Sequence, residues 1–326
     1  MWVLLLLWGC KNAETDTDEV YAGLALEQSA ETGALLGAYS AGSELVLVGG
    51  DFGSRGVITH YDGESFCVES DTVEGALWWV HGRSPTDWYA VGENGMIVHE
   101  QAGSRTREDV PTAATLFGVY DDGTDVWAVG GDVRNHQLGE IWRKPAGGSW
   151  ELQLGEIEGL MFKVHDGWFV GDGKAFYWDG TELLPRHPDG EGGRPPKLLT
   201  VRSLGPEHAF AVGGQATPML FEYVDGSWQT REVKPSCGGN QGLNGIYTAT
   251  GETIHIAGHF GAASTLEAGE WRCDSPPQTS EHFHVVMVHN DEVVWAGGDL
   301  FATGSNHGTV AIHPAPSSPL SVQTCP

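Results

Sequence analysis

The sequence predicts an all-β fold: a seven-bladed β-propeller of four-stranded blades, closed by an N-terminal strand that joins the last blade. Three observations predict it. A two-strand unit recurs seven times, and each second strand ends in a glycine: Gly49, Gly92, Gly130, Gly171, Gly213, Gly258 and Gly297. These glycines follow one another at intervals of 38 to 45 residues, the spacing of propeller blades. The first strand of each copy is apolar on both faces, as an innermost strand needs when a neighbouring blade covers each side. Finally, the seventh copy lacks a fourth strand, and an unpaired strand, Gly23 to Glu27, precedes the first copy.

The elements follow in order. Aligned first strands give an opening column of Leu35, Leu77, Leu116, Met161, Leu198, Leu243 and Val285, and a fourth column of Ala38, Val80, Val119, Val164, Val201, Ile246 and Val288. The third column mixes Gly37, Gly118 and Gly245 with Trp79, Lys163 and Met287. The second strand often carries an aromatic three residues before its glycine (Tyr89, Trp127, Trp168, Phe210), suited to packing between blades. Third and fourth strands are joined by Asp62-Gly63, Asp179-Gly180 and Asp225-Gly226, dipeptides that supply the positive φ of hairpin turns. After Ile312 the chain meets Pro314, Pro316 and Pro319, which oppose a regular ladder strand. The missing strand must then come from the other end, and closure removes the open sheet edges.

The predicted organisation is a signal peptide over 1–9, an acidic flexible tether over 10–20 and a propeller over 21–326. Its blades lie near 35–70, 76–110, 115–154, 159–187, 197–234, 242–274 and 283–314 plus 21–28, with a tail at 315–326. The apolar start, Met1 to Cys10, is too short to span a bilayer and fits the core of an export signal. Lys11 to Glu19 is polar and acidic, without apolar pattern. A formal charge of −27 argues against nucleic acid and against direct binding to anionic lipid.

Beyond Cys10 there are four cysteines, which allow three pairings. Cys237 and Cys273 stand at the ends of fourth strands in neighbouring blades and are expected partners. Cys67 then pairs with Cys325 and pins the C-terminal tail near the ring closure.

Leu7-Trp8-Gly9-Cys10 resembles the lipobox of bacterial lipoproteins. The resemblance implies that Cys10 carries the lipid. Lys11 after it implies the outer membrane, on the periplasmic or the surface face, with an ordinary secreted protein as the alternative. The stretch Ser84 to His99 resembles the glycine- and tryptophan-rich repeat of bacterial exported propellers, which are similar to sialidase-like and photosystem-assembly-factor-like seven-bladed folds. The resemblance spans residues 35 to 313 and implies binding or scaffolding more than catalysis. The Asp-box of sialidases is not found.

Loops between second and third strands should gather at one mouth of the channel. Five carry a carboxylate just after the strand-ending glycine: Asp51, Glu93, Asp132, Asp172 and Asp299. Long loops add His136 and His307, and His259 lies in the same set. These eight residues are the candidate ligand-binding rim. Oxygen ligands in a ring suit Ca²⁺, although the same carboxylates also serve to cap tight turns. No cofactor is required.

A fifth column, Tyr39, His81, Tyr120, His165, Arg202, Tyr247 and His289, predicts a polar ring near the opposite face, with three imidazoles that suit a transition metal. His282 and His284 form an unspecific pair. Catalytic motifs of metalloproteases, α/β-hydrolases and nucleotide-binding proteins are absent. The expected function is a non-enzymatic binding or scaffold module at the cell envelope, engaging an envelope protein or glycan. The alternative is a hydrolase or lyase on extracellular carbohydrate, metal-assisted through the rim.

Overall fold

The computed structural model describes residues 22–26, 32–69, 73–134, 137–189, 195–214, 217–233, 242–275, 281–299, 308–314 and 320–325. They form seven antiparallel blades around an axis. Blade 1 runs Ala34–Ala41, Glu44–Asp51, Arg55–Tyr61 and Ser65–Val68. Blade 2 starts at Leu77–Ser84, blade 3 at Thr115–Asp121, blade 4 at Met161–His165, blade 5 at Leu198–Gly205, blade 6 at Leu243–Tyr247 and blade 7 at Phe283–His289. Among the described residues no helix is long and apolar enough to cross a membrane.

Ring closure is by the N-terminal strand. Ala22–Leu26 pairs antiparallel with Gly308–His313, in register from Ala22 opposite Ile312 to Leu26 opposite Gly308. The C-terminal segment does more than the prolines suggested. Ser321–Thr324 adds to the outer edge of blade 1 as a fifth, parallel strand, with Val322 opposite Phe66. The Cys67–Cys325 disulfide locks it there. Cys273 is also disulfide-bonded; its expected partner, Cys237, lies outside the described residues, as does Cys10.

Burial is divided among the joints between blades instead of one central core. At the closing joint Leu35, Leu47 and Tyr61 of blade 1 pack with Val294, Val310 and Ile312 of blade 7. Equivalent clusters fill the other joints, with Trp88 between blades 1 and 2, Tyr89 between 2 and 3, Trp127 between 3 and 4, Trp168 between 4 and 5, and Phe210 between 5 and 6. The second-strand aromatics are therefore the inter-blade wedges. Across the closing joint the Tyr61 hydroxyl donates to Glu292 Oε2 at 2.9 Å.

The repeated glycine has a steric cause. Every inner strand carries a register shift immediately after its first column, as at Leu35/Gly37 and Leu77/Trp79. The shift drives the carbonyl before that column into the space over the strand-ending glycine. A Cβ on Gly49 would sit 1.9 Å from the Ala34 carbonyl oxygen, and one on Gly297 1.8 Å from that of His282.

The same register corrects the alignment of the seventh copy. Gly297 pairs with Phe283, and the shift falls between Phe283 and Val285. The first column of blade 7 is therefore Phe283, the third Val285, the fourth Val286 and the fifth Met287. The expected assignment was two residues too late. A two-residue displacement keeps every side chain on its face, so alternation cannot detect it; only a one-residue slip reverses the faces. Third-column packing agrees: the backbone of Gly37 abuts Trp79, Gly118 abuts Lys163, and Gly245 abuts Val285.

Candidate functional site: an aromatic funnel at the channel mouth

The channel mouth is built by the second column of the inner strands together with the loops between second and third strands. The second column reads Leu36, Trp78, Phe117, Phe162, Leu199, Asn244 and His284. These residues line a funnel of about 670 Å³, with Phe52, Val133 and His259 from the loops and Lys163 on the third column. The register shift creates this lining. It inserts an extra residue beside the first column, so the second-column side chains emerge toward the axis.

The funnel has two unlike halves. Across blades 1 to 4 the rings form a continuous arc. Phe52 meets Trp78 edge-on at 6.5 Å, Trp78 meets Phe117 at 4.9 Å, and Phe117 meets Phe162 at 5.6 Å. Such edge-to-face pairs are favourable beyond their area burial. The other half is polar. Asn244 donates to the Phe283 carbonyl at 2.9 Å, and His284 Nε2 donates to the Gly298 carbonyl at 2.9 Å. At the lip the Nδ1 atoms of His259 and His282 are 2.7 Å apart, so one imidazole donates to the other. Burial, opposed by the Gly298 bond and joined by the nearby His282, His259 and Lys163, brings the His284 pKa down to about 4.

Lys163 and Lys197 are the lysines that line the funnel; Lys163 comes from the third column. The Lys163 Nζ donates to the Phe117 carbonyl at 2.6 Å and lies 4.2 Å from the centre of the Trp79 ring. Burial alone brings its pKa down to about 7. Lys197 lies over Phe162 at 5.7 Å and 3.4 Å from Asp172 Oδ2.

Three of the four large apolar side chains exposed among the described residues surround this mouth: Phe52 at 39%, Val133 at 37% and Phe260 at 58%. Phe260 is held in the left-handed region, with φ 55° and ψ 44°. Blade 2 makes the same turn with Asn94, at φ 57° and ψ 41°. Asparagine tolerates that conformation and a bulky aromatic does not. Strain of this kind is kept where the surrounding structure or a function requires it.

Four of the carboxylates expected to form the rim have partners of their own. Asp51 pairs with Arg55 at 2.9 Å. Glu93 is buried and accepts the backbone N–H groups of Gly53 and Ala76. Asp132 accepts the N–H of Arg134 at 2.8 Å, a turn cap. Asp172 is paired with Lys197. Asp299 follows blade 7's second strand, at the edge of the described residues. Of the six expected rim residues that fall among the described residues, only His259 lines the funnel. His136 and His307 lie outside the described residues. Among the described residues no group of three or more His, Cys, Asp or Glu is arranged to hold a metal ion.

The fifth-column ring forms, with one change. Tyr39 and His81 are 5.1 Å apart, His81 stacks on Tyr120 at 4.1 Å, Tyr120 meets His165 at 4.8 Å, and Arg202 lies over Tyr247 at 4.5 Å. Met287 closes the ring in place of His289, a consequence of the corrected register. His289 is buried further down its strand and bonds Ser40 at 3.0 Å.

No family model matches the chain, and no curated protein matches it. Solved structures do. The chain is similar to YCF48 bound to D1 peptide, at a TM-score of 0.61 and 15% identity, over 88% of this chain and 96% of that one. It is similar to the WD40 β-propeller domain of Doa1, at a TM-score of 0.60 and 12% identity, over 90% and 97%. The likeness is one of fold. The first column and the glycines made the blades legible, but the funnel residues stand in the second column. Its run of Leu36, Trp78, Phe117, Phe162 and Leu199 was the available signal.

Proposed function

We propose that this chain is a non-enzymatic binding or scaffold module that engages a partner protein through the channel mouth. One observation carries the reading. The aromatic arc, with Phe52, Val133 and Phe260 exposed around it, leaves apolar surface uncovered on one face of a strongly acidic protein. Exposed apolar clusters of this kind mark interaction sites, and rigid aromatics are the usual anchors of interfaces. The solved YCF48 structure, bound to D1 peptide, supports a peptide-binding role for the fold without naming a partner here. The apolar half of the funnel favours a protein segment over a glycan.

The carbohydrate-cleaving alternative draws on the rim carboxylates. Asp51, Glu93 and Asp172 are committed to Arg55, to backbone N–H groups and to Lys197, which favours binding over hydrolysis. For the site of action the reading is the outer membrane, with the chain held there through a lipid on Cys10; the lipobox-like Leu7-Trp8-Gly9-Cys10 supports it. Metabolic labelling with a clickable fatty acid tests the anchor, with label expected on the native chain and lost in Cys10→Ser.

A photo-crosslinking amino acid at position 52 tests the mouth. Adducts with an envelope protein are expected, and they should vanish when Phe117→Glu is combined with it. Adducts unaffected by Phe117→Glu, or turnover of a polysaccharide by the purified chain, would overturn the reading.

A further inference from the structure

The fifth column of the inner strands carries a second constellation, separate from the mouth. His81 Nδ1 accepts the backbone N–H of Asp121 at 3.1 Å, and His165 Nδ1 accepts that of Ser203 at 3.2 Å. Each bond joins an inner strand to the inner strand of the next blade. An Nδ1 that accepts bears no hydrogen, so each neutral imidazole carries its proton on Nε2. Among the described residues no hydrogen bond to another residue engages either Nε2–H. Burial and the nearby Arg202 bring the His81 pKa down to about 3 and hold His165 well below its ordinary value, in keeping with neutral rings.

Arg202 occupies the same column one blade on from His165. Its Nε donates to the Thr248 carbonyl at 3.2 Å, and its guanidinium lies over the Tyr247 ring. Among the described residues no carboxylate comes within ion-pairing distance of it. Asp166 acts on it only at longer range and accepts instead from the Ser203 hydroxyl at 3.2 Å. A guanidinium packed inside protein without a counter-charge is costly, and its remaining N–H groups suit an oxyanion. All seven residues of the ring are half-buried.

We propose that this ring is an anion site on the propeller axis, in which Arg202 and the Nε2–H groups of His81 and His165 receive one small oxyanion of the carboxylate or phosphate class. The donors come from blades 2, 4 and 5, so an ion there would tie non-adjacent blades together. The inference does not rest on the mouth reading and can fail independently of it.

The test is a titration of the full chain with sodium phosphate and, separately, sodium acetate at constant ionic strength, followed by histidine-ring ¹H–¹⁵N NMR. Saturable shifts are expected at the Nε2 resonances of both His81 and His165 for at least one of the two ions, and the ion that saturates identifies the class. Arg202→Gln should weaken that binding about tenfold or more. Shifts that grow without saturation, shifts confined to His259, His282 and His284, or unchanged affinity in a folded Arg202→Gln variant would each overturn the proposal. Should that variant fail to fold, the native titration decides, because saturation at both imidazoles is required.

Discussion

The carboxylate of Glu93, in blade 2, accepts the backbone N–H of Gly53, in blade 1, at 2.8 Å, and the same oxygen, Oε2, accepts the N–H of Ala76 at 2.9 Å. A side chain expected to face a ligand instead caps the loop of the preceding blade. Glu93→Ala leaves two backbone donors without their acceptor, and we expect a loss of about 2–4 kcal/mol. Urea denaturation checks this; a change below about 0.5 kcal/mol would mean that water replaces the carboxylate freely.

Phe260 stands where the equivalent turn of blade 2 uses Asn94. Phe260→Asn should therefore stabilise the protein by about 1 kcal/mol, by relieving a left-handed aromatic. It should also weaken partner capture at the mouth. Thermal unfolding and crosslinking yield measured together test both halves. A destabilised variant would show that ring contacts, such as that with His282 at 5.0 Å, outweigh the backbone strain.

The Cys67–Cys325 bond closes a loop of 258 residues and fastens the fifth strand of blade 1. Cys325→Ser should cost about 2–5 kcal/mol and expose the C-terminal segment to proteases. Mass spectrometry of a limited digest would show early cleavage near residue 320 in the variant only. Equal resistance in both proteins would mean that the parallel strand holds without its clasp.

His81 and His165 set an acid dependence. The folded state holds His81 at about 3 against an ordinary 6.5, so the unfolded chain binds more protons between those values. Stability contributed by the neutral ring is complete above about 6.5 and falls as pH drops toward about 3. Denaturation midpoints recorded across that window should decline, and less steeply in His81→Gln. Parallel slopes in the two proteins would place the acid sensitivity elsewhere, for example in Glu69, whose bonds to His60 and Arg105 overcome its burial and hold it at about 2.

Overpacking tests the repeat itself. Gly49→Ala places a methyl against the Ala34 carbonyl and should cost about 1–3 kcal/mol, whereas Gly155→Ala, whose nearest neighbour is the exposed Leu152 side chain at 3.2 Å, meets no backbone and should cost less. Equal losses would refute a steric role for the strand-ending glycine.

Much of the blade plan was readable because its causes are local. Apolar columns, strand-ending glycines and Asp-Gly turns each act within a few residues. Blade 7 shows the limit: Val285 and Val288 satisfy the alternation as well as Phe283 and Val286 do, and only pairing with Gly297 separates them. The funnel was legible in part, since its second column is apolar from Leu36 to Leu199, but nothing local says that this column turns toward the axis.

By itself the chain determined seven sectors, the wedge aromatics and the origin of the closing strand, because these follow from period and alternation; the cysteine count left three pairings open, and the fold joined Cys67 to Cys325. Tertiary structure decided which side chains face the axis. It buried Glu93 beneath a neighbouring loop, set Lys163 within the funnel, and gathered His81, His165 and Arg202 from three blades into one ring. The physical reason is that a bulge and the mutual approach of seven strands set side-chain direction at the axis, and both depend on partners distant in sequence.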